Sequence, residues 1–372
     1  MQPNPNAKRT KVNSATLAGQ PREILLLKGH SAGIGDLLRS SAAWRVLRTA
    51  LPEARLHLWF LTRDPGAPAE AFIARHHLLA SFQVSDKRTG GLAGWRRLLR
   101  DAREIADRVR PQLVIDFEPN GFRTALLAWR LGRHAHARTA GIAQVPLRRA
   151  CYHQAAPSSQ AYARARGLPT PLEYCERDFV VLAGLGLERQ GTAIELREMP
   201  EGRAFRTAVL PELGAAAHRP WLGVNVGCGT PDAVPKRPDL GLLAALVGEL
   251  HRRHGFAVLL TGAPDEREIN RTFRSRLAPD IPVLDCAGRT SLLELTGAIA
   301  ACRLFVSSDS GPYHMAIALR VPTLALFNFP NPQHYHHQPW IECQVAPDAQ
   351  ALPETLAAAE RLLKVTPPPV PA

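Results

Sequence analysis

Lysine is scarce in this 372-residue chain, supplying only six of its 46 basic residues. Aromatic residues make up 6% and methionine occurs three times. None of the six cysteines (Cys151, Cys175, Cys228, Cys286, Cys302, Cys343) forms a C-x-x-C pair. That leaves a zinc ribbon, a zinc finger or a thioredoxin-like site unsupported, and reduced thiols in a cytoplasm are the plain expectation. No apolar run approaches the ~18–20 residues that span a bilayer. The first 22 residues are polar, lack the apolar core of a secretory signal and read as a disordered leader, so the protein is expected to stay inside the cell. No lysine/arginine block is interleaved with aromatics and no recognition-helix pattern occurs. Nucleic-acid binding then rests on the basic balance alone.

Hydrophobic residues reach 45% and charged residues 21%, the composition of an ordinary globular protein with material for full cores. At roughly 150 residues per domain, the length suggests two to three domains. The 46 basic residues against 33 acidic give +13. Two explanations stand side by side: the arginine-rich codon usage of a GC-rich genome, and an anionic partner such as a phosphorylated substrate or an acidic lipid.

Short apolar runs alternate with amphipathic stretches nearly throughout. In the first half, Ile24–Lys28, Leu56–Leu61, Ser81–Val84 and Leu113–Phe117 read as strands. Helices are expected near Asp36–Ala50, Ala67–Leu79, Trp95–Arg110 and Phe122–Leu131. The second half repeats the grammar, with strands at Trp221–Val226, Ala257–Thr261, Pro282–Asp285, Leu304–Ser307 and Thr323–Phe327. Between them lie helices at Leu240–Arg253, Asp265–Leu277, Ser291–Cys302 and Pro312–Leu319. Strands alternating with long helices imply βαβ crossovers and parallel sheets covered on both faces. The boundaries follow: a first lobe over 23–186, a joint over 187–220, a second lobe over 221–352, and a terminal helix with a proline-rich tail over 353–372. Two doubly wound α/β lobes facing each other across a cleft is the architecture this implies, with ligands beyond the carboxyl ends of the strands.

Four segments could carry chemistry. Lys28-Gly29-His30-Ser31-Ala32-Gly33-Ile34-Gly35-Asp36 leaves the first strand and enters a helix. Its glycines allow close backbone approach, but the spacing is not G-x-G-x-x-G, and Asp36 reads either as a first-turn helix acid or as a general base. In Asp309-Ser310-Gly311-Pro312-Tyr313-His314 a buried strand ends and a helix opens. This is either a capping turn or a cradle of amide groups for phosphate. Gly227-Cys228-Gly229-Thr230 and then Pro235-Lys236-Arg237-Pro238 place two adjacent cations on a loop, suited to a diphosphate or to solvent. Thr261-Gly262-Ala263-Pro264-Asp265-Glu266 puts Glu266 where it could accept from ribose hydroxyls or cap a helix. His334, His336 and His337 match no zinc spacing and read as a polar loop cluster.

In this order the segments resemble glycosyltransferase family 9, the lipopolysaccharide heptosyltransferase family, from about Ile24 to Pro332. The marks are ILLLKGHSAGIGDLL, VIDFEPNGFRTALLA, PKRPD, LLTGAPDERE and, most specific, the stretch around Asp-Ser-Gly-Pro-x-His. The resemblance implies a GT-B fold of two Rossmann-like lobes and an inverting mechanism with neither metal nor cofactor. It implies a nucleotide-diphosphate sugar donor and an anionic glycolipid acceptor at the inner face of the inner membrane. By residue, it implies Asp36 as general base, with Gly33, Gly35, Asp116 and Asn120 on the acceptor side. Lys236, Arg237, Thr230, Glu266, Asp309, Ser310, Gly311 and His314 would bind the donor. The loops Asn225-Val226-Gly227-Cys228-Gly229 and Asn328-Phe329-Pro330-Asn331-Pro332 depart from the family pattern, which leaves the donor's base and sugar open. The rival readings are a Rossmann oxidoreductase with Asp64 on a ribose, and a family member that binds nucleotide sugars but has another donor or a protein acceptor.

Overall fold

The computed structural model describes residues 17, 19–29, 33–88, 91–228 and 235–371. The leader expected at 1–22 lies outside them except for residues 17 and 19–22. In chain order the elements begin β1 (Glu23–Gly29), α1 (Ile34–Leu38), α2 (Ser41–Ala50), β2 (Arg55–Thr62), α3 (Pro68–Ile73), β3 (Leu79–Asp86) and α4 (Gly91–Val109). There follow β4 (Leu113–Asp116), α5 (Arg123–Ala135), β5 (Arg138–Ile142), β6 (Gln154–Ala156), α6 (Ser159–Arg166), α7 (Tyr174–Gly184) and α8 (Pro200–Val209). The second half runs β7 (Trp221–Asn225), α9 (Leu240–His254), β8 (Ala257–Thr261), α10 (Arg267–Arg274), β9 (Val283–Asp285) and α11 (Leu292–Ala300). It ends with β10 (Cys302–Ser307), α12 (Gly311–Ala318), β11 (Thr323–Phe327), β12 (Ile341–Val345) and α13 (Leu352–Leu363).

The described residues fall into two compact units. One takes those of Met1–Ala32, Ser40–Glu70 and His77–Thr192; the other takes Gly33–Arg39, Ala71–His76 and Ala193–Ala372. The first unit holds a six-stranded parallel sheet in the order β3-β2-β1-β4-β5-β6. Its central strand β1 carries an unbroken apolar run, Ile24–Leu27, as suits a sheet covered on both faces; Leu25, Leu27, Trp59, Leu61 and Val114 pack on Ile105 and Leu127 of the covering helices. The second unit repeats the winding, β12-β11-β10-β7-β8-β9, around Leu222, Val224, Leu260, Val306 and Leu326, with Leu246 and Phe273 from helices. Numbered from its own first strand, each sheet has the Rossmann order 3-2-1-4-5-6.

Helix ends follow the local chemistry. Asp239 accepts from the Leu242 amide at 2.7 Å to open α9, which closes at Gly255 in the left-handed region (φ +68°). Ser291 and Glu294 form a reciprocal capping box at α11. The structure departs from the sequence expectation in several places. The helix expected over 36–50 is broken at Arg39–Ser40 into α1 and α2, and only α1 clusters with the second unit. The stretch 187–220, read as a joint without periodicity, contains α8. Strands β5, β6 and β12 and helices α6 and α7 were not anticipated, and the helix expected near Ala67–Leu79 is the shorter α3.

Candidate functional site

In a doubly wound sheet the strand order reverses at one point, and ligands collect beyond the carboxyl ends there. In the second unit that point lies between β7 and β10, whose last residues, Asn225 and Ser307, are register partners; β8 ends beside them at Thr261. The side-chain amide of Asn225 ties the three strand ends together. Its Nδ2 donates to Thr261 Oγ1 at 3.1 Å and its Oδ1 accepts from Ser310 Oγ at 3.0 Å. Ser310 is the N-cap of α12, and Pro312 in the first turn has no N–H to leave unpaired. The remaining first-turn amides are unsatisfied by the helix itself, the usual condition for receiving an anion.

Asp309, one residue before that cap, is the electrostatic centre of the unit. Lys236 Nζ donates to its Oδ2 at 2.9 Å, Asn331 Nδ2 donates to the same oxygen at 3.2 Å, and His334 Nδ1 donates to Oδ1 at 2.7 Å. Burial works to raise the Asp309 carboxyl, but the bonds from His334 and Lys236 outweigh it and hold the group at about 2. Asn328 donates to the carbonyls of Pro235 and Arg237, clamping the loop that carries the two cations. Among the described residues nothing accepts from the buried Nε of Arg237.

Gly33 to Arg39 pack onto the same unit. A side chain on Gly35 would overlap the His314 ring, so this glycine serves the contact of α1 with α12 rather than a turn. Ile34 lies 3.0 Å from where a Cβ on Gly311 would stand. Gly33 is the N-cap of α1, and Asp36 sits in its first turn. The break after α1 directs Arg39 inward: Nη1 donates to Asp36 Oδ1 at 2.8 Å and Nη2 lies 2.8 Å from His314 Nε2. A guanidinium can only donate, so Nε2 of His314 is the accepting nitrogen and Nδ1 carries the proton that reaches His336 Nε2 at 3.0 Å. Burial, then Arg39, pushes the His314 imidazolium well below its ordinary range, in keeping with a neutral ring. Asp309, His314 and His334 offer one potential metal-ligand atom each within 4.8 Å of one another. Arg39 Nη2 also lies 3.3 Å from His334 Nδ1, whose proton is directed at Asp309.

Glu266 is buried beside the end of β7: a side chain on Gly227 would overlap its carboxylate, and its Oε2 accepts from the Ala263 amide at 2.7 Å. It thus caps its own helical turn while lying at the carboxyl edge of the sheet. Thr230 lies outside the described residues.

In the first unit the reversal falls between β1 and β4, where Leu27 pairs with Asp116. Asp116 is fully buried, and burial pushes its carboxyl up to about 6 against the pull of Arg148. Its partners are Arg148 Nη2 at 3.1 Å, the Tyr152 hydroxyl at 2.7 Å and the Glu118 amide at 3.0 Å. Arg148, itself fully buried, also donates to the carbonyls of Glu118, Asn120, Gly121 and Ile142. Asp116 therefore holds the loop after β4 in shape through Arg148. Asn120 on that loop is exposed and lines a cavity with Gln144, Ser159, Gln160 and Arg177.

The structure brings Asp36, Lys236, Asp309, Ser310, Gly311 and His314 into one unit. Sequence reasoning gave no role to Arg39, or to Arg148 in the other unit; it named Asn225 and Asn331 only as parts of the two loops that depart from the family pattern, and read His334 as part of a polar loop cluster. Arg39 carried no signal among 46 basic residues, whereas an asparagine closing a buried strand, as Asn225 does, was a legible clue.

Residues 177–355 match the sequence model of glycosyltransferase family 9 (heptosyltransferase). Lipopolysaccharide heptosyltransferase 3 of Escherichia coli is 32% identical over 105 residues, covering 27% of this chain and 29% of that protein. Lipooligosaccharide heptosyltransferase 2 of Campylobacter jejuni is 28% identical over 106 residues, covering 28% and 33%. The matches thus span a third or less of these relatives. Among solved structures, a family 9 glycosyl transferase from Veillonella parvula superposes with a TM-score of 0.68 at 18% identity, covering 92% of this chain and 97% of that one. The E. coli ADP-heptose heptosyltransferase II gives 0.62 at 20% identity, covering 91% and 98%. These likenesses show the fold: α/β, of the GT-B heptosyltransferase type.

Proposed function

We propose, from the match of residues 177–355 to the glycosyltransferase family 9 model, that the chain is an inverting, metal-independent transferase of that family. It moves a sugar, heptose from ADP-heptose, onto a lipopolysaccharide-core or related anionic glycolipid at the cytoplasmic face of the inner membrane. Relatives named for heptose transfer support the donor class, and the named acceptors of those relatives support the glycolipid.

The observation that carries the reading is that Lys236 meets Asp309 immediately before the first turn of α12, at the strand-order reversal of one sheet, with Arg237 next to it in the chain. Displacing a nucleoside diphosphate puts negative charge on the leaving phosphate and positive charge on the anomeric carbon. Fixed cations and helix-end amides stabilise the first without reorganisation. Asp36 accepts the proton of the acceptor hydroxyl as its oxygen attacks the anomeric carbon and the bond to the diphosphate breaks. Arg39 orients that carboxylate. One carboxylate suffices for inversion in a transferase, unlike the paired acids of most glycosidases. Asp309 holds Lys236 in place and meets the sugar hydroxyls, while Glu266 faces the ribose.

A thermal-shift screen of nucleotide sugars, followed by mass spectrometry of product on extracted glycolipid, tests the reading. ADP-heptose is expected to stabilise the protein and to donate one heptose. Asp36→Ala should keep the fold and the affinity for ADP while turnover falls by about 10²–10⁴-fold. Near-normal turnover in that variant would remove Asp36 as the base, and stabilisation by no nucleotide sugar would remove the reading.

A further inference from the structure

Six of the eight large hydrophobic side chains that stand exposed among the described residues belong to three successive connections of one sheet: Leu92, Phe122, Leu126, Trp129, Val145 and Leu147. These connections follow β3, β4 and β5, so in a parallel sheet they leave from its carboxyl edge, the edge at which β1 also ends. They are fastened to one another. Arg123 at the start of α5 donates to the Lys87 carbonyl at 2.9 Å, and Arg148, next to Leu147, donates to the carbonyls of Asn120 and Gly121. Helix α5 packs on α4 and on the short 3₁₀ turn Pro146–Cys151.

Phe122, Leu126 and Trp129 recur at i, i+4 and i+7, a single stripe turned to solvent instead of the core. Leu147 is 74% exposed and Leu92 66%, far beyond what a lone surface leucine needs explaining. The charge around the stripe is lopsided. Residues 87–149 contain fourteen basic and five acidic residues. Arg148 among them is buried on Asp116, and Arg110 and Arg138 lie at the strand starts, but the exposed Arg123, Arg130, Arg133 and Arg149 flank the stripe and Leu147 in sequence. Arg133 lies over the Trp129 ring, its centre 5.4 Å from the ring centroid. Aromatic and aliphatic side chains rimmed by arginines suit adsorption on an anionic bilayer, where the rings enter the headgroup layer and the guanidinium groups meet lipid phosphates.

We infer that this face, formed by the starts of α4 and α5 and by the turn at Leu147, docks on an anionic phospholipid surface. A second copy of the chain is disfavoured as the occupant, since it would set Arg123, Arg130, Arg133 and Arg149 against the same arginines. The inference deepens the proposed function in one respect and rests on it there: a lipid-borne acceptor would be delivered to the sheet edge that bears the docking face.

The test is sedimentation of the full chain with vesicles of phosphatidylglycerol and phosphatidylethanolamine, and with vesicles of phosphatidylcholine alone. Binding to the first and not the second is expected. The triple variant Leu92→Ser, Leu126→Ser, Leu147→Ser should lower the partition coefficient by about tenfold or more, with the thermal midpoint and ADP affinity unchanged. Equal binding by the variant, equal binding to both vesicles, or concentration-dependent self-association abolished by the triple change would each overturn the inference. Vesicle binding is read without donor or acceptor. Its failure alongside intact sugar transfer, or its success alongside no transfer, separates this inference from the proposed reaction.

Discussion

Asp309 shows how one side chain can be chemically occupied and still central. Its carboxylate is 7% exposed and receives bonds from a lysine, a histidine and an asparagine. The sign of its pH effect follows directly: a carboxyl held at about 2 in the folded state, against 3.8 for the free side chain, stabilises the fold above pH 4. That contribution is lost as the pH falls from about 4 toward 2. Chemical denaturation of the wild type and of Asp309→Asn should therefore give a stability gap that narrows by about 1.5 kcal/mol between pH 5 and pH 2.5. A gap of constant size would show that the ion pairs are absent in solution. Part of this was readable beforehand: Asp-Ser-Gly-Pro after a buried strand announces a helix start, and Ser310 is the N-cap of α12. Arg39 was not readable, since its place depends on a break between α1 and α2 that no proline or glycine marks. Asp116 was visible as a polar residue ending a strand, but its burial under Arg148 and Tyr152 depends on residues more than 30 positions away.

Between elements, glycine decides how closely helices approach. A side chain on Gly297 in α11 would overlap the Gly202 backbone of α8, and the reverse is also true, so the two helices meet backbone to backbone. Gly248 in α9 has nothing within 4 Å of a Cβ. The same substitution should then have opposite signs. Gly248→Ala gains roughly 0.5–1 kcal/mol from helix propensity. In Gly297→Ala that gain is outweighed by an overpacking cost of about 1–3 kcal/mol. Urea titration of both variants checks this, and stabilisation by Gly297→Ala would contradict the close crossing. Helix α8 went unread in the sequence because its buried positions include that glycine, which has no hydrophobic signal. Strands β5 and β6 escaped for a related reason: RTAGI and QAA are short and lean on small residues, whereas β1 and β8 present unbroken aliphatic runs. IECQV in β12 mixes polar residues as an edge strand can.

For the molecule as a whole, the repeated alternation of strand and helix was enough to predict two parallel sheets, and both are present with one winding order. The unequal spread of charge was less legible, because a total of +13 does not say where the charge lies; its concentration at 87–149 only gains meaning beside the exposed Leu92, Phe122 and Leu147. Each unit has its own hydrophobic cluster. Scanning calorimetry should accordingly resolve two transitions. ADP at about 100 times its dissociation constant should add about 2.7 kcal/mol to the unit carrying Lys236 and Asp309, and leave the other in place. One transition displaced as a whole would mean that the units melt together. The doubled winding has a further consequence. A cut between Thr192 and Ala193 would sever no strand, and each fragment would keep an entire six-stranded sheet. Yet Asp36 and Arg39 would leave with one fragment, and His314, which lies 2.8 Å from Arg39 Nη2, with the other. The halves are architecturally whole, but the proposed site belongs to neither alone.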